Sequence, residues 1–133
     1  MELQIVERRS RKIDELVRQN FGPDEDLWNP KYFDFLFKLT HWNCKDPLAI
    51  CTLQWAEEYW ILGDLCVKEK GMGYGTAIVD LVMKVVNQPV WVDANEISSR
   101  IFEKNPLFYE TTKAPWKPEG KTYLSIAPGR VTR

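Results

Sequence analysis

The sequence predicts an α/β chain, with strands forming a sheet and helices packed against it. Three observations predict this. Two neighbouring segments, 48–55 and 59–67, are rich in apolar, β-branched and aromatic residues, and Ala56-Glu57-Glu58 between them suits a tight hairpin. The segment 76–86 carries Ala77, Ile78, Val79, Leu81, Val82, Met83, Val85 and Val86, apolar on most sides, as in a largely buried helix. Between strand and helix, Gly71, Gly73 and Gly75 occupy every second position.

The chain of 133 residues suits a single domain spanning 1–133. Hydrophobic residues make up 44%, enough for a core, and the 28% charged residues are mixed in sign, which argues against disorder. A net charge of −1 lacks the basic footprint of a general nucleic-acid binder, so no nucleic-acid partner is expected. Three cysteines, Cys44, Cys51 and Cys66, are odd in number and fit no zinc spacing. Neither a metal nor a disulfide framework is expected, and a reducing cytoplasm is the expected compartment. No apolar run approaches the roughly 18 residues of a membrane span, and none resembles a signal-peptide core.

In chain order, residues 3–20 read as an amphipathic helix with Ile5, Val6, Ile13, Leu16 and Val17 on one side; a short strand over 2–6 is the alternative. Phe21-Gly22-Pro23 stops the helix. Asp24-Glu25-Asp26 reads as a solvated loop. Asn29-Pro30 can cap a helix through Tyr32, Phe33, Phe37 and Leu39. The same residues also alternate, with Phe33, Phe35, Phe37 and Leu39 opposite Asp34 and Lys38, and the second half leans toward strand. Residues 43–47 form a turn, and the hairpin, the glycine loop and the buried helix come next. Asn87-Gln88-Pro89 ends that helix. Residues 90–94 are a short strand, and 96–104 a helix capped by Asn95. The segment 114–120 is loop, and 121–126 a final strand.

A strand, glycines and a helix in succession can hold an anion. The first turn of a helix has amides without partners, and the macrodipole adds positive charge there. Glycines let a phosphate approach the backbone closely. Each charge-assisted bond contributes roughly 1.5–3 kcal/mol. A nucleotide P-loop needs Gly-Lys-Ser or Gly-Lys-Thr, and the dinucleotide fingerprint needs Gly-x-Gly-x-x-Gly; neither is present.

At Lys70-Gly71-Met72-Gly73-Tyr74-Gly75-Thr76 the sequence resembles the GNAT acetyltransferase superfamily. That family's signature is Arg or Gln, two residues, Gly, one residue, then Gly or Ala; lysine stands first here. Asn95 with Ile101-Phe102-Glu103-Lys104 resembles the family's Asn-led helix ending in Leu-Tyr-Glu-Lys, and Leu107-Phe108 its Gly-Phe. The resemblance runs over about 48–126 and is specific over 65–108. It implies a mixed, mostly antiparallel sheet, splayed at the coenzyme site and flanked by helices. It implies acetyl-CoA as co-substrate, its pyrophosphate on the amides of 70–76 and its pantetheine paired with backbone groups of Leu65, Cys66 and Val67. Asn95 would face the coenzyme side of the cleft, and Gly63 would mark a bulge. The implied activity is acetyl transfer to a primary amine of a small molecule or protein.

Such transfer needs a base for the amine, polarisation of the carbonyl, and a proton or hydrogen bond for the thiolate. Family members often protonate the thiolate with a tyrosine seven residues after the Asn; here that position is Phe102. Tyr109 or Tyr123 can substitute, and Ser98 or Ser99 can hold a water, although each is more often a surface or packing residue. Glu58 and Asp64 are the candidate bases, on one face of the strand if it begins one residue early. The plainer reading makes them a solvated hairpin residue and a surface charge. His41 reads as an exposed loop residue and Cys66 as a small buried hydrophobe. Trp28 and Trp42 flank an aromatic segment that is more often core than ligand cage. Phe102 and the short amino-terminal region motivate a second hypothesis, a noncatalytic GNAT-like module acting through protein contacts. A nucleotide-binding protein using the same loop is a third. Exposed sheet edges allow a homodimer.

Overall fold

Pairing at a sheet edge decides the amino-terminal segment. In the computed structural model, which describes residues 1–23 and 33–125, Glu2–Ile5 form strand β1. β1 pairs antiparallel with β2 (Phe35–Thr40), from Glu2 opposite Thr40 to Ile5 opposite Phe37. The helix expected over 3–20 is therefore shorter, and the strand alternative holds at its start. Helix α1 spans Arg11–Phe21. Ser10 sets its beginning, since its Oγ accepts from the Ile13 amide at 3.2 Å. Gly22 ends it at φ +117°, with its amide closing onto the Arg18 carbonyl. Ile13, Leu16 and Val17 are buried, whereas Ile5, which helical periodicity puts on the same side, is exposed.

The acidic run at 24–26, Trp28 and the Asn29-Pro30 cap lie outside the described residues. The 35–40 segment is strand, and its alternation is imperfect. Phe37 and Leu39 are buried in one hydrophobic cluster, but Leu36, beside Phe37, is buried in another against α1. Both faces of β2 are covered, so polar and apolar residues need not alternate.

The hairpin of β3 (Ala49–Trp55) and β4 (Trp60–Val67) turns through Glu57 at φ +65°. Helix α2 (Tyr74–Val85) begins two residues earlier than the sequence suggested, so Gly75 lies in its first turn. β5 (Val90–Ala94) leads into α3 (Glu96–Lys104). β6 (Phe108–Glu110), not anticipated from the sequence, pairs antiparallel with β7 (Lys121–Ser125). Three residues are too few for a periodicity to register.

The sheet order is β1-β2-β3-β4-β5-β7-β6, and only β4 and β5 are parallel neighbours. It is the mixed, mostly antiparallel sheet that the resemblance implies. Ile78, Val79, Val82 and Met83 of α2 are buried with Leu53, Leu62 and Val92 of the sheet. Ile13, Leu16 and Val17 of α1 are buried with Leu36, Ile50 and Cys66. Each such fully buried aliphatic side chain contributes about 1.5–3 kcal/mol. Among the described residues no helix is long and apolar enough to cross a membrane.

Candidate functional site

Where β4 and β5 stop pairing, a cleft begins. Their parallel ladder runs only from Trp60 opposite Val90 to Leu62 opposite Val92. On its other side β4 is irregular. Ile50 pairs with Cys66 and Thr52 with Gly63, so Asp64 and Leu65 together oppose Cys51. The distortion sits just past Gly63, the predicted bulge residue, and Asp64 takes φ +34°. A cleft of about 490 Å³ opens here, lined by Leu62, Asp64 and Leu65 from β4 and by Val92 and Asp93 from β5.

The glycine loop lies beside it, and its three glycines serve two purposes. Gly71 and Gly73 adopt φ +81° and +78°, which L side chains rarely do, and a Cβ on either would meet only open space. Gly73 is the N-cap of α2, with no side-chain cap and no acidic residue in the first turn. The loop therefore leaves room for an anion at helix amides that no side chain satisfies. Gly75 is different: a Cβ there would lie 2.7 Å from Ile101 Cδ1, 3.6 Å from Val67 Cγ1 and 3.7 Å from Leu65 Cδ2. Leu65 thus touches the base of the loop and lines the cleft. Lys70, Met72 and Thr76 are exposed, and Tyr74 packs partly against the core.

The opposite wall depends on Asp93, which sequence reasoning passed over. Its Oδ1 accepts from the Gly120 amide at 2.9 Å, and its Oδ2 from the Glu119 amide at 3.1 Å and Trp116 Nε1 at 3.4 Å. Trp116 itself stacks on Tyr59 at 5.8 Å and meets Trp91 edge-on at 5.7 Å. Gly120 is tight because a Cβ would collide with the Ala94 carbonyl. The segment expected only as loop is thereby folded back onto β5, bringing Glu119 and Gly120 to the cleft wall. A carboxylate inside the apolar strand Val90-Trp91-Val92-Asp93-Ala94 was the available signal, because a strand charge needs partners.

Asn95 both caps α3 and lines the cleft. Its Oδ1 accepts from the Ser98 amide at 2.9 Å and the Ser98 hydroxyl at 3.1 Å. Ser98 and Phe102, one helical turn apart, also line the cleft. The Phe102 ring is buried against Phe108 at 5.0 Å and Tyr123 at 5.7 Å. Tyr123 donates its hydroxyl to Glu103 at 3.2 Å, and burial, then the Glu103 carboxylate, hold its pKa above the ordinary tyrosine value. Glu103 also accepts from Lys121 at 3.1 Å, and that hydrogen bond depresses its own pKa.

The predicted site residues are dispersed. Asp64 lines the cleft. Glu58 is exposed in the hairpin, its amide donating to the Ala56 carbonyl, and it stands six positions before Asp64, a reach of up to roughly 20 Å along an extended chain. Tyr109 lies on β6 opposite Leu124, is 48% exposed, and does not line the cleft. Cys66 is buried against α1, and burial, then the Asp64 carboxylate, push its thiol up to about 12. His41 is exposed just beyond β2. Of the three backbone positions expected to pair with pantetheine, Cys66 lies opposite Ile50 of β3. Val67 is bonded to Asn20 of α1: its amide donates to Asn20 Oδ1 at 3.3 Å, and its carbonyl accepts from Asn20 Nδ2 at 3.1 Å. Nothing in the sequence near Asn20 marks that reach. Among the described residues no three His, Cys, Asp or Glu side chains are grouped to hold a metal ion.

No model of a known protein family and no curated protein sequence matches this chain. Solved structures do match its fold. A candidate N-acetyltransferase from Lactobacillus plantarum superposes with a TM-score of 0.67 at 13% identity, over 95% of this chain and 97% of that one. N-acetylglutamate synthase from Neisseria gonorrhoeae, in complex with coenzyme A and N-acetyl-glutamate, gives 0.64 at 13% identity over 96% of this chain and 35% of that one. An aminoglycoside 6'-N-acetyltransferase in complex with coenzyme A gives 0.58 at 13% identity, over 93% and 94%. Identities this low carry the fold alone.

Proposed function

We propose that this chain, which has the fold of the GNAT N-acetyltransferases, transfers an acetyl group from acetyl-CoA to a primary amine. The observation that carries the reading is continuity: an uncapped α2 amino end with open space at Gly71 and Gly73, joined through Leu65 to the cleft between β4 and β5. The chemistry of both parts fits a coenzyme A thioester. Amides of the Lys70, Gly71, Met72, Gly73, Tyr74, Gly75 and Thr76 loop would take the pyrophosphate, and the apolar edge of β4 the pantetheine arm.

In the proposed reaction the amine nitrogen bonds to the acetyl carbon, the carbon–sulfur bond breaks, and coenzyme A leaves as thiolate. Asp64, a carboxylate on the cleft wall, would accept the amine's proton, directly or through water. The first turn of α3 offers its dipole to the departing sulfur, and the Ser98 hydroxyl, which donates to Asn95 Oδ1, would turn to donate to the thiolate. With a thiol pKa near 8.5, that sulfur needs no strong acid. Asp64, Asp93 and Glu119 give the cleft a wall that favours a cationic acceptor. Amine-dependent release of coenzyme A thiol from acetyl-CoA, measured across a broad panel of amines, tests the reading. Steady turnover supports it, and no turnover with any amine rejects it.

A second reading, a noncatalytic GNAT-fold module, draws on Phe102, whose ring is packed into an aromatic cluster where family members often have a tyrosine acid. In that case no thiol is released, whether the chain keeps coenzyme A binding or only the fold.

A further inference from the structure

Backbone groups on an open strand edge must find partners, and at β4 the partner is a side chain. Beyond Leu62 the strand has no paired β5 residue. Lys68 donates its amide to the Leu48 carbonyl, on the β3 side. Val67, one residue earlier, directs its N–H and C=O to Asn20 instead. The Asn20 amide completes its bonding by donating to the Leu16 carbonyl at 2.8 Å. Gln19 adds a bond from its Nε2 to the Lys68 carbonyl at 3.0 Å, and Phe21, next in sequence after Asn20, lines the cleft. Two consecutive residues at the end of α1, Asn20 and Phe21, therefore stand at the open edge of β4 and at the cleft.

We propose that Asn20 is an internal stand-in for the pantetheine arm, and that acetyl-CoA occupies the β4 edge by displacing it from Val67. The inference rests on the acetyl-CoA reading of the site. Its physical basis is chemical identity. The Asn20 carboxamide presents one of its two N–H donors and its C=O acceptor to Val67 in a single plane, the pair that a backbone N–H and C=O on a strand edge require. The two secondary amides of pantetheine supply the same pair between them, an N–H from one and a C=O from the other. Both cannot occupy Val67 at once, so the folded chain without ligand competes with its own substrate.

Asn20→Ala removes the competitor. Acetyl-CoA affinity should rise about three- to tenfold, the worth of one or two exchanged hydrogen bonds. Gln19→Ala, which leaves Val67 alone, should not change it. Equal or weaker binding by Asn20→Ala than by wild type overturns the proposal. Nitrogen-15 spectra of wild-type protein titrated with acetyl-CoA test it without a variant. The Asn20 side-chain NH2 signals should shift and exchange faster with water as the loop amides 71–76 shift. Loop shifts with an unmoved Asn20 reject the displacement and leave acetyl-CoA binding standing. No shift anywhere up to millimolar acetyl-CoA rejects the binding reading, and the displacement with it.

Discussion

Gly75 lies directly beneath Ile101, so close that a Cβ on the glycine would stand 2.7 Å from Ile101 Cδ1. This contact joins the first turn of α2 to α3, and therefore joins the glycine loop to the helix that carries Asn95, Ser98 and Phe102. The contact holds the loop against the helix whose Ser98 and Phe102 line the cleft.

Gly75→Val should accordingly damage stability more than its neighbours do. Overpacking against Ile101, Val67 and Leu65 should cost about 1–3 kcal/mol. Gly71→Ala and Gly73→Ala meet open space and carry only the strain of positive φ, about 1–2 kcal/mol. Urea denaturation of the three variants checks the order. A Gly75→Val protein as stable as wild type would mean that the Ile101 side chain gives way without cost.

Asp93→Ala should detach the 116–120 segment. The Gly120 and Glu119 amides and Trp116 Nε1 lose their acceptor together, for an expected loss of about 2–4 kcal/mol, since bonds to charged groups are the stronger kind. Tryptophan emission should shift to the red as Trp116 leaves its stack on Tyr59. Asp93→Asn, which keeps one acceptor oxygen, should fall between the two.

The Glu103 cluster sets a pH dependence with a definite sign. The hydrogen bond and charge of Lys121 depress the folded-state pKa of Glu103 below its ordinary 4.5. The unfolded chain then binds the proton first, so this stabilisation is present above about 4.5 and is lost as pH falls through the folded value. Tyr123 acts at the other end: its raised pKa gives stability that is present below 10 and lost as pH rises through the folded value. Glu103→Gln should flatten the acid limb of a midpoint-against-pH profile, checked by thermal melts from about pH 3 to 7.

Much of this arrangement was legible locally. The hairpin at 56–58, the α2 segment, and α3 with Asn95 as its cap come from turn chemistry and helix signals, which act over a few residues. What was not legible is long-range. Residues 2–5 look helical beside 11–21, and only the edge of β2 makes them a strand. β6 exists because β7 returns beside it, with Phe108 opposite Ser125. The reach of Asn20 to Val67 spans 47 positions, and that of Gly120 to Asp93 spans 27, distances at which no spacing rule operates. Glu58 and Asp64 share strand parity, but the hairpin claims Glu58 before β4 begins.

Asp64→Asn should separate binding from chemistry. If Asp64 accepts the amine's proton, turnover should fall about 10²-fold or more while acetyl-CoA affinity stays within about twofold. A pH–rate profile shows whether the acidic limb disappears with the carboxylate. Equal turnover by the variant would assign the proton to another group.

Titration calorimetry with acetyl-CoA is the most direct measurement of the central claim. Wild-type protein should bind one equivalent. Gly73→Val should bind none detectably, because a branched side chain strains φ +78° and fills the open space at the α2 amino end. Absence of heat from wild-type protein up to millimolar acetyl-CoA, or equal binding by the folded Gly73→Val variant, would contradict the assignment of this loop as the coenzyme cradle.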